Sequence, residues 1–171
     1  MVMIVTIRYN NETWQSNKNY REKKELACIY ASPCKITENI DLNSPVFVIE
    51  MNNSVNEIIG IGLIKNKLAD KVYKVQENSN YNRYIYIGDY HISRDIIDDY
   101  NPELVSILDE ILFKGYTHSK RGSGLTKIPE KALKLEICKD VNIKDEIKKI
   151  FVYHFREKIE TKKKKIQSVT L

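Results

Sequence analysis

The chain has no apolar run approaching the roughly 20 residues that a membrane-spanning helix needs. Its three cysteines, Cys28, Cys34 and Cys138, are odd in number and show no CxxC spacing, which argues against both a disulfide framework and a zinc site. His91, His118 and His154 stand far apart and form no HxH or HExxH pattern, so structural roles and no metal are expected. There is no GxSxG, no cysteine–histidine nucleophile signature and no dinucleotide fingerprint. The acidic pairs Asp98-Asp99 and Asp109-Glu110 fall at a helix approach and on a helix exterior, where they serve solubility. No catalytic residue and no cofactor are therefore expected. Low-complexity linkers and internal repeats are also missing. Arginine is scarce, at 6 against 22 lysines, and isoleucine and asparagine are abundant. That is the coding bias of an AT-rich genome, so the lysine count is discounted.

What remains is a 171-residue chain, 42% hydrophobic and 30% charged, the profile of a globular domain with a substantial core. The start, Met1-Val2-Met3-Ile4-Val5, has no basic leader and runs directly into Arg8. It reads as a strand rather than a signal peptide, and an intracellular protein, cytoplasmic or nuclear, is expected. The net charge of +5 is modest, but its placement is uneven. Lys162 to Lys165 form a run near the C-terminus, and Lys18, Arg21, Lys23 and Lys24 surround the only tryptophan. Clustered cations favour association with phosphate backbones at low salt.

Two polar islands interrupt the apolar patterning. Trp14-Gln15-Ser16-Asn17-Lys18-Asn19-Tyr20-Arg21 places an aromatic among amides and cations. Lys120-Arg121-Gly122-Ser123-Gly124-Leu125-Thr126-Lys127-Ile128-Pro129 is a basic glycine loop. A stacking surface paired with a flexible cationic loop suits a flat heterocycle on a phosphate backbone. The loop lacks the GxxxxGK[ST] spacing of a nucleotide-hydrolase P-loop.

Around the islands, Met1 to Arg8 reads as a strand, Asn10 to Asn19 as a polar loop, and Tyr20 to Tyr30 as a stretch with a short helix. Pro45 to Met51 and Glu57 to Ile64 form an antiparallel hairpin around turn-forming residues. Gly60 and Gly62 lie on one face of its second strand, which permits tight curvature or close approach of another group. Lys71 to Gln76 and Asn82 to Ile92 read as further strands, with Tyr84, Tyr86, Tyr90 and Ile92 on one face and Ile85 and Ile87 on the other. Pro102 opens a helix that Gly115 ends. A short strand over Leu133 to Cys138 precedes an amphipathic helix over Asp140 to Lys158, and the tail from Thr161 is expected to fray. The class is α+β, with a small curved antiparallel or mixed sheet closing toward an open barrel flanked by helices. A domain over residues 1–140 and a C-terminal helix with basic tail over 141–171 are expected.

The order of these pieces resembles the EVE branch of the PUA-like superfamily, which is related to the YTH readers of methylated adenine. That family has Trp-x-Gly-Val-Arg-Asn-Tyr early in the chain. Trp14, Lys18, Asn19 and Tyr20 fall at matching spacing, with Ser16, Asn17 and Lys18 departing from the pattern. Phe47 to Met51 and Ile58 to Ile64 are similar to the next strand pair, and Arg83-Tyr84-Ile85-Tyr86-Ile87 to a later strand. Arg121, Leu125, Thr126 and Pro129 match Arg-x-Gly-x-Leu-Ser-x-x-Pro, although the glycines stand at 122 and 124 around Ser123. The resemblance covers roughly residues 1–135. It implies a PUA-like open barrel with an aromatic-lined pocket for a modified or flipped base. The lysine- and asparagine-heavy composition is also similar to that of proteins from large DNA viruses.

On these grounds Trp14 is expected to stack on a base, the alternative being that it caps one end of the core beside a solvated turn, and Asn19 to hydrogen-bond a base edge or form a turn. Tyr20, within the same motif, is expected to pack in the core wall rather than to touch the ligand. Lys18 and Arg21 are expected at phosphate or on solvated surface, and Lys120, Arg121, Ser123, Thr126 and Lys127 at phosphate or base edge, Arg121 foremost because its flanking glycines let backbone amides approach an anion. The expected function is non-catalytic nucleic-acid binding, to RNA or DNA. The alternative is a protein-interaction module that docks through the C-terminal helix and lysine tail.

Overall fold

The computed structural model describes residues 2–36 and 39–169. Strand β1 (Met3–Tyr9) runs parallel to β3 (Pro45–Asn52), which pairs antiparallel with β4 (Glu57–Lys65) around the expected turn. β4 then pairs with β6 (Tyr90–Ser93), and β1 with the two-residue β7 (Thr126–Lys127), giving the order β6-β4-β3-β1-β7. A separate two-stranded antiparallel sheet joins β2 (Cys28–Ser32) to β5 (Tyr84–Gly88). The fold is α+β, as expected.

Alternation along the central strands sorts the core into layers. Phe47, Ile49 and Met51 of β3 meet the helices α2 (Arg94–Tyr100), α3 (Pro102–Phe113) and the first turns of α5 (Ile143–Val169). Val46 and Val48, with Val5 and Ile7 of β1, face Cys28, Tyr30 and Tyr86 of the small sheet. The outer side of the small sheet, through Ile29 and Ile85, packs with Leu26 and Tyr20. Arg94 clamps α2 to α3 through two hydrogen bonds to Asp109, at 3.0 and 2.8 Å, and also donates to the Ile58 carbonyl.

Several expectations need correction. Among the described residues no sheet closes into a barrel: β5 pairs with β2, and the free edge of β4 is taken by β6. The two sheets instead face each other across packed side chains. Residues 82–92 are therefore two strands in different sheets. Tyr84 and Tyr86 do share a face, but Tyr90 and Ile92 belong to the large sheet. The Asn10–Asn19 stretch is not a loop; it lies in α1 (Asn11–Lys23), and β2 occupies the end of the expected helical stretch that follows. Residues 71–76 form no strand, and 133–138 hold the end of α4 (Glu130–Leu133) and a 3-10 turn. The last helix continues through the expected frayed tail to Val169; Met1 and the final two residues lie outside the described residues.

Candidate functional site

Helix α1 begins where β1 ends because Asn10 forms a reciprocal cap. Its side chain accepts from the Thr13 amide at 2.8 Å, and the Thr13 hydroxyl accepts from the Asn10 amide at 3.0 Å. The β3–β4 turn braces that start. The Asn11 amide donates to Ser54, and Asn52 donates to the Asn11 side chain. Trp14, Asn17 and Arg21 then project to one side at helical spacing. Asn17 is buried and donates to the Ile29 carbonyl at 2.7 Å, fastening α1 to β2.

The opposite wall is the glycine loop. Gly122 and Gly124 have φ of 109° and 71°, in the left-handed region that disfavours side chains. A Cβ on Gly124 would also overlap the Ser32 hydroxyl. Arg8 holds the loop against β1. One terminal nitrogen donates to Thr6, the Ser119 carbonyl and Thr126, and the other to the Gly124 carbonyl. Burial lowers the Arg8 pKa from its ordinary value.

Between these walls lies a cleft of about 400 Å³, lined by Arg8, Tyr9, Asn10, Thr13, Ser16, Asn53, Gln76, Asn78, Tyr81 and Gly124, with Glu12 and Glu77. Its volume falls within the roughly 300–1,000 Å³ of small-molecule sites. The 76–81 side is shaped by Asn82, whose side chain accepts from the Val75 and Gln76 amides and donates to the Gln76 carbonyl. Gln76 in turn donates to the Thr13 carbonyl at 3.2 Å. Three buried polar atoms of lining residues, Arg8 Nε, the Tyr9 hydroxyl and Asn53 Oδ1, have no hydrogen-bond partner among the described residues. A buried polar atom left so costs free energy.

The ten expected site residues are arranged differently from the expectation, and none of their side chains lines this cleft. Trp14 is half-buried, tilted against Tyr9 with centroids 5.7 Å apart, and the Arg21 guanidinium sits 4.8 Å from its ring centre. Tyr20 meets Tyr73 edge-on. Lys18 and Asn19 are exposed on the outer face of α1, Asn19 accepting from Gln15. The Lys120 carbonyl accepts from Asn53, and the Ser123 carbonyl from the Cys34 thiol. Thr126 is engaged by Arg8, while Lys127 stands opposite Val5 in β7. Arg121 is exposed on the glycine loop, three residues before cleft-lining Gly124. α1 and the loop do border one cleft, but through Thr13, Ser16 and Gly124.

Behind the cleft is a buried ionic centre that the motifs did not reveal. Glu50 of β3 is wholly buried; its carboxylate accepts from Tyr30 at 2.8 Å, lies 3.0 Å from His91 Nε2 and 3.7 Å from Arg21. Burial works to raise the Glu50 carboxyl. His91, Arg21 and the Tyr30 hydroxyl together outweigh it and hold the group below its ordinary value. Burial, with Glu50 nearby, pushes the Cys28 thiol up to about 12 and the Tyr9 and Tyr30 hydroxyls well above theirs. The signal was present in the sequence: Glu50 is the one charge in an otherwise apolar strand, and such a charge is buried only with partners.

No protein-family model, curated protein or solved structure matches the chain. No helix among the described residues is long and apolar enough to cross a membrane.

Proposed function

We propose that this protein is a non-catalytic nucleic-acid-binding module that holds one base, modified or not, in the cleft between α1 and the glycine loop. The observation that carries the reading is the cleft itself, walled by polar side chains and one accessible aromatic ring. Asn10, Thr13, Ser16, Gln76 and Asn78 line it with donors and acceptors, and a heterocycle edge presents complementary groups. Tyr81, 44% exposed, offers a ring face for stacking. Amides and hydroxyls dominate the rest of the lining, groups that hold a ligand rather than move its protons. Glu12 and Glu77 disfavour phosphate on the α1 and 76–81 sides, so the backbone belongs on the glycine loop, where Lys120 and Arg121 stand. The EVE resemblance agrees with a base pocket, although the residues that carry it lie beside this cleft rather than in it.

The test is binding of short single-stranded oligonucleotides by the full chain, compared with Asn53→Ala and Tyr81→Ala. Both substitutions are expected to weaken binding by about 1–3 kcal/mol. Unchanged affinity in both would remove the cleft from the binding site.

A further inference from the structure

The second half of α5 carries a pattern that neither the core nor the cleft uses. Residues 156–169 are helical and exposed throughout, so this half extends past the part that Ile143, Ile147, Ile150 and Phe151 bury. Val152, Ile159 and Ile166 are spaced by seven, and Phe155, Lys162 and Val169 repeat the spacing three residues later. That is the a/d alternation of a coiled-coil seam, broken only at Lys162. Ile159 is 54% and Ile166 68% exposed, where an ordinary solvated helix would carry polar groups. The seam is rooted on the body: Phe155 packs edge-on against Tyr90, with ring centroids 4.8 Å apart.

The flanking positions identify the partner. With Val152 at a, the e positions are Arg156 and Lys163, and the g positions Lys158 and Lys165. All four are cationic. In a parallel pair of identical chains, e would face g with like charge at every step, and an antiparallel pair would also set cations against cations. Residues 156–169 hold six cations and two carboxylates, so a second copy is repelled as a whole. Lipid is a poor occupant too, because Lys162 stands in the middle of a narrow seam rather than beside a broad apolar face.

We propose that the projecting half of α5 is a docking segment for an amphipathic helix of another protein, one with apolar a and d residues and acidic e and g residues. Lys162 fixes the register by facing an acid. This surface is separate from the cleft and does not depend on the ligand held there.

The experiment uses the full chain and a labelled three-heptad peptide with Ile at a, Leu at d and Glu at e and g. A peptide of the same apolar positions with Lys at e and g, polyglutamate, and a random 20-base oligonucleotide serve as comparisons. Fluorescence anisotropy is expected to show binding of the acidic heptad peptide and none of the lysine peptide. Ile159→Ala with Ile166→Ala, which keeps helix propensity, is expected to weaken binding about tenfold or more. Lys163→Glu with Lys165→Glu is expected to shift preference toward the lysine peptide. The substituted residues lie outside the core, so circular dichroism and the Tm of the body should not change. The proposal is overturned if polyglutamate or the oligonucleotide competes as well as the heptad peptide, or if the double alanine change leaves affinity unaltered. It is also overturned if sedimentation shows the chain pairing with itself through these residues.

Discussion

The Tyr30 hydroxyl donates to the buried Glu50 carboxylate at 2.8 Å across the gap between the two sheets, in the space left by Gly62. A Cβ at position 62 would overlap that hydroxyl and stand 3.0 Å from the Cys28 sulfur. A Cβ on Gly60 would stand 3.0 Å from the His91 ring. The two glycines therefore make room for two of the three side chains that keep Glu50 charged.

Gly62→Ala is expected to cost about 1–3 kcal/mol of stability by overpacking. The cost should be smaller in a Tyr30→Phe background, where the overlapping oxygen is gone. Urea unfolding of the four proteins gives the double-mutant cycle. Equal cost in both backgrounds would show that Tyr30 is not what Gly62 accommodates.

Glu50 sets an acid limit on the fold. Its folded pKa is depressed, so its contribution is fully present above the ordinary carboxylate range near 4.5 and is lost as pH falls through the lower folded value. Glu50→Gln, which leaves Arg21 and His91 facing a neutral amide, is expected to cost about 3 kcal/mol at pH 7. The gap between wild type and variant should narrow as unfolding is repeated from pH 5 down to pH 3. A gap that stays constant over that range would mean that Glu50 is not ionised in the folded protein.

The hairpin of β3 and β4 was legible because Pro45 and the Asn52-Asn53-Ser54 turn bracket two apolar runs, and the α+β class followed from the same punctuation. Helix α1 was missed for a physical reason. Its mean composition is polar, and its packed side has Trp14, Asn17, Tyr20 and Arg21, which pack by hydrogen bond, ring and cation–π contacts rather than by aliphatic periodicity. The cap at Asn10 and Thr13 was the available signal. The site was half legible: the two islands do border one cleft, but side-chain direction on a helix reversed their roles. Reading residues 10–19 as a loop left Trp14 free to face a ligand, whereas the helix turns it inward and presents Thr13 and Ser16. Arg8 was passed over because nothing local marks a strand arginine as the clamp of a loop over a hundred residues away.

That clamp is testable. Arg8→Lys keeps the charge but cannot span Thr6, Thr126 and the carbonyls of Ser119 and Gly124 together. It is expected to cost about 1–3 kcal/mol and to make the 120–124 loop more sensitive to trypsin under native conditions. Wild-type resistance to cleavage at Lys120 and Arg121 in the variant would show that the loop holds its shape without the guanidinium.

The last prediction separates residues that support the cleft from residues that touch its ligand. Trp14 packs on Tyr9 and Arg21 outside the cleft, so Trp14→Ala should lower the Tm. It should leave discrimination between bases intact once binding is measured well below the Tm. Tyr81→Ala should do the reverse: little change in Tm, but a loss of about 1–3 kcal/mol of affinity that persists at any salt, because stacking is not a counterion effect. Arg121→Ala should weaken binding to every sequence alike and reduce the salt slope by about one counterion if it meets a single phosphate. The measurement is a salt titration of each variant against one oligonucleotide and a second altered at a single base. If Trp14→Ala abolishes discrimination while Tyr81→Ala does not, the base is held at the Trp14 side of α1. The cleft lined by Asn53 and Arg8 would then not be its seat.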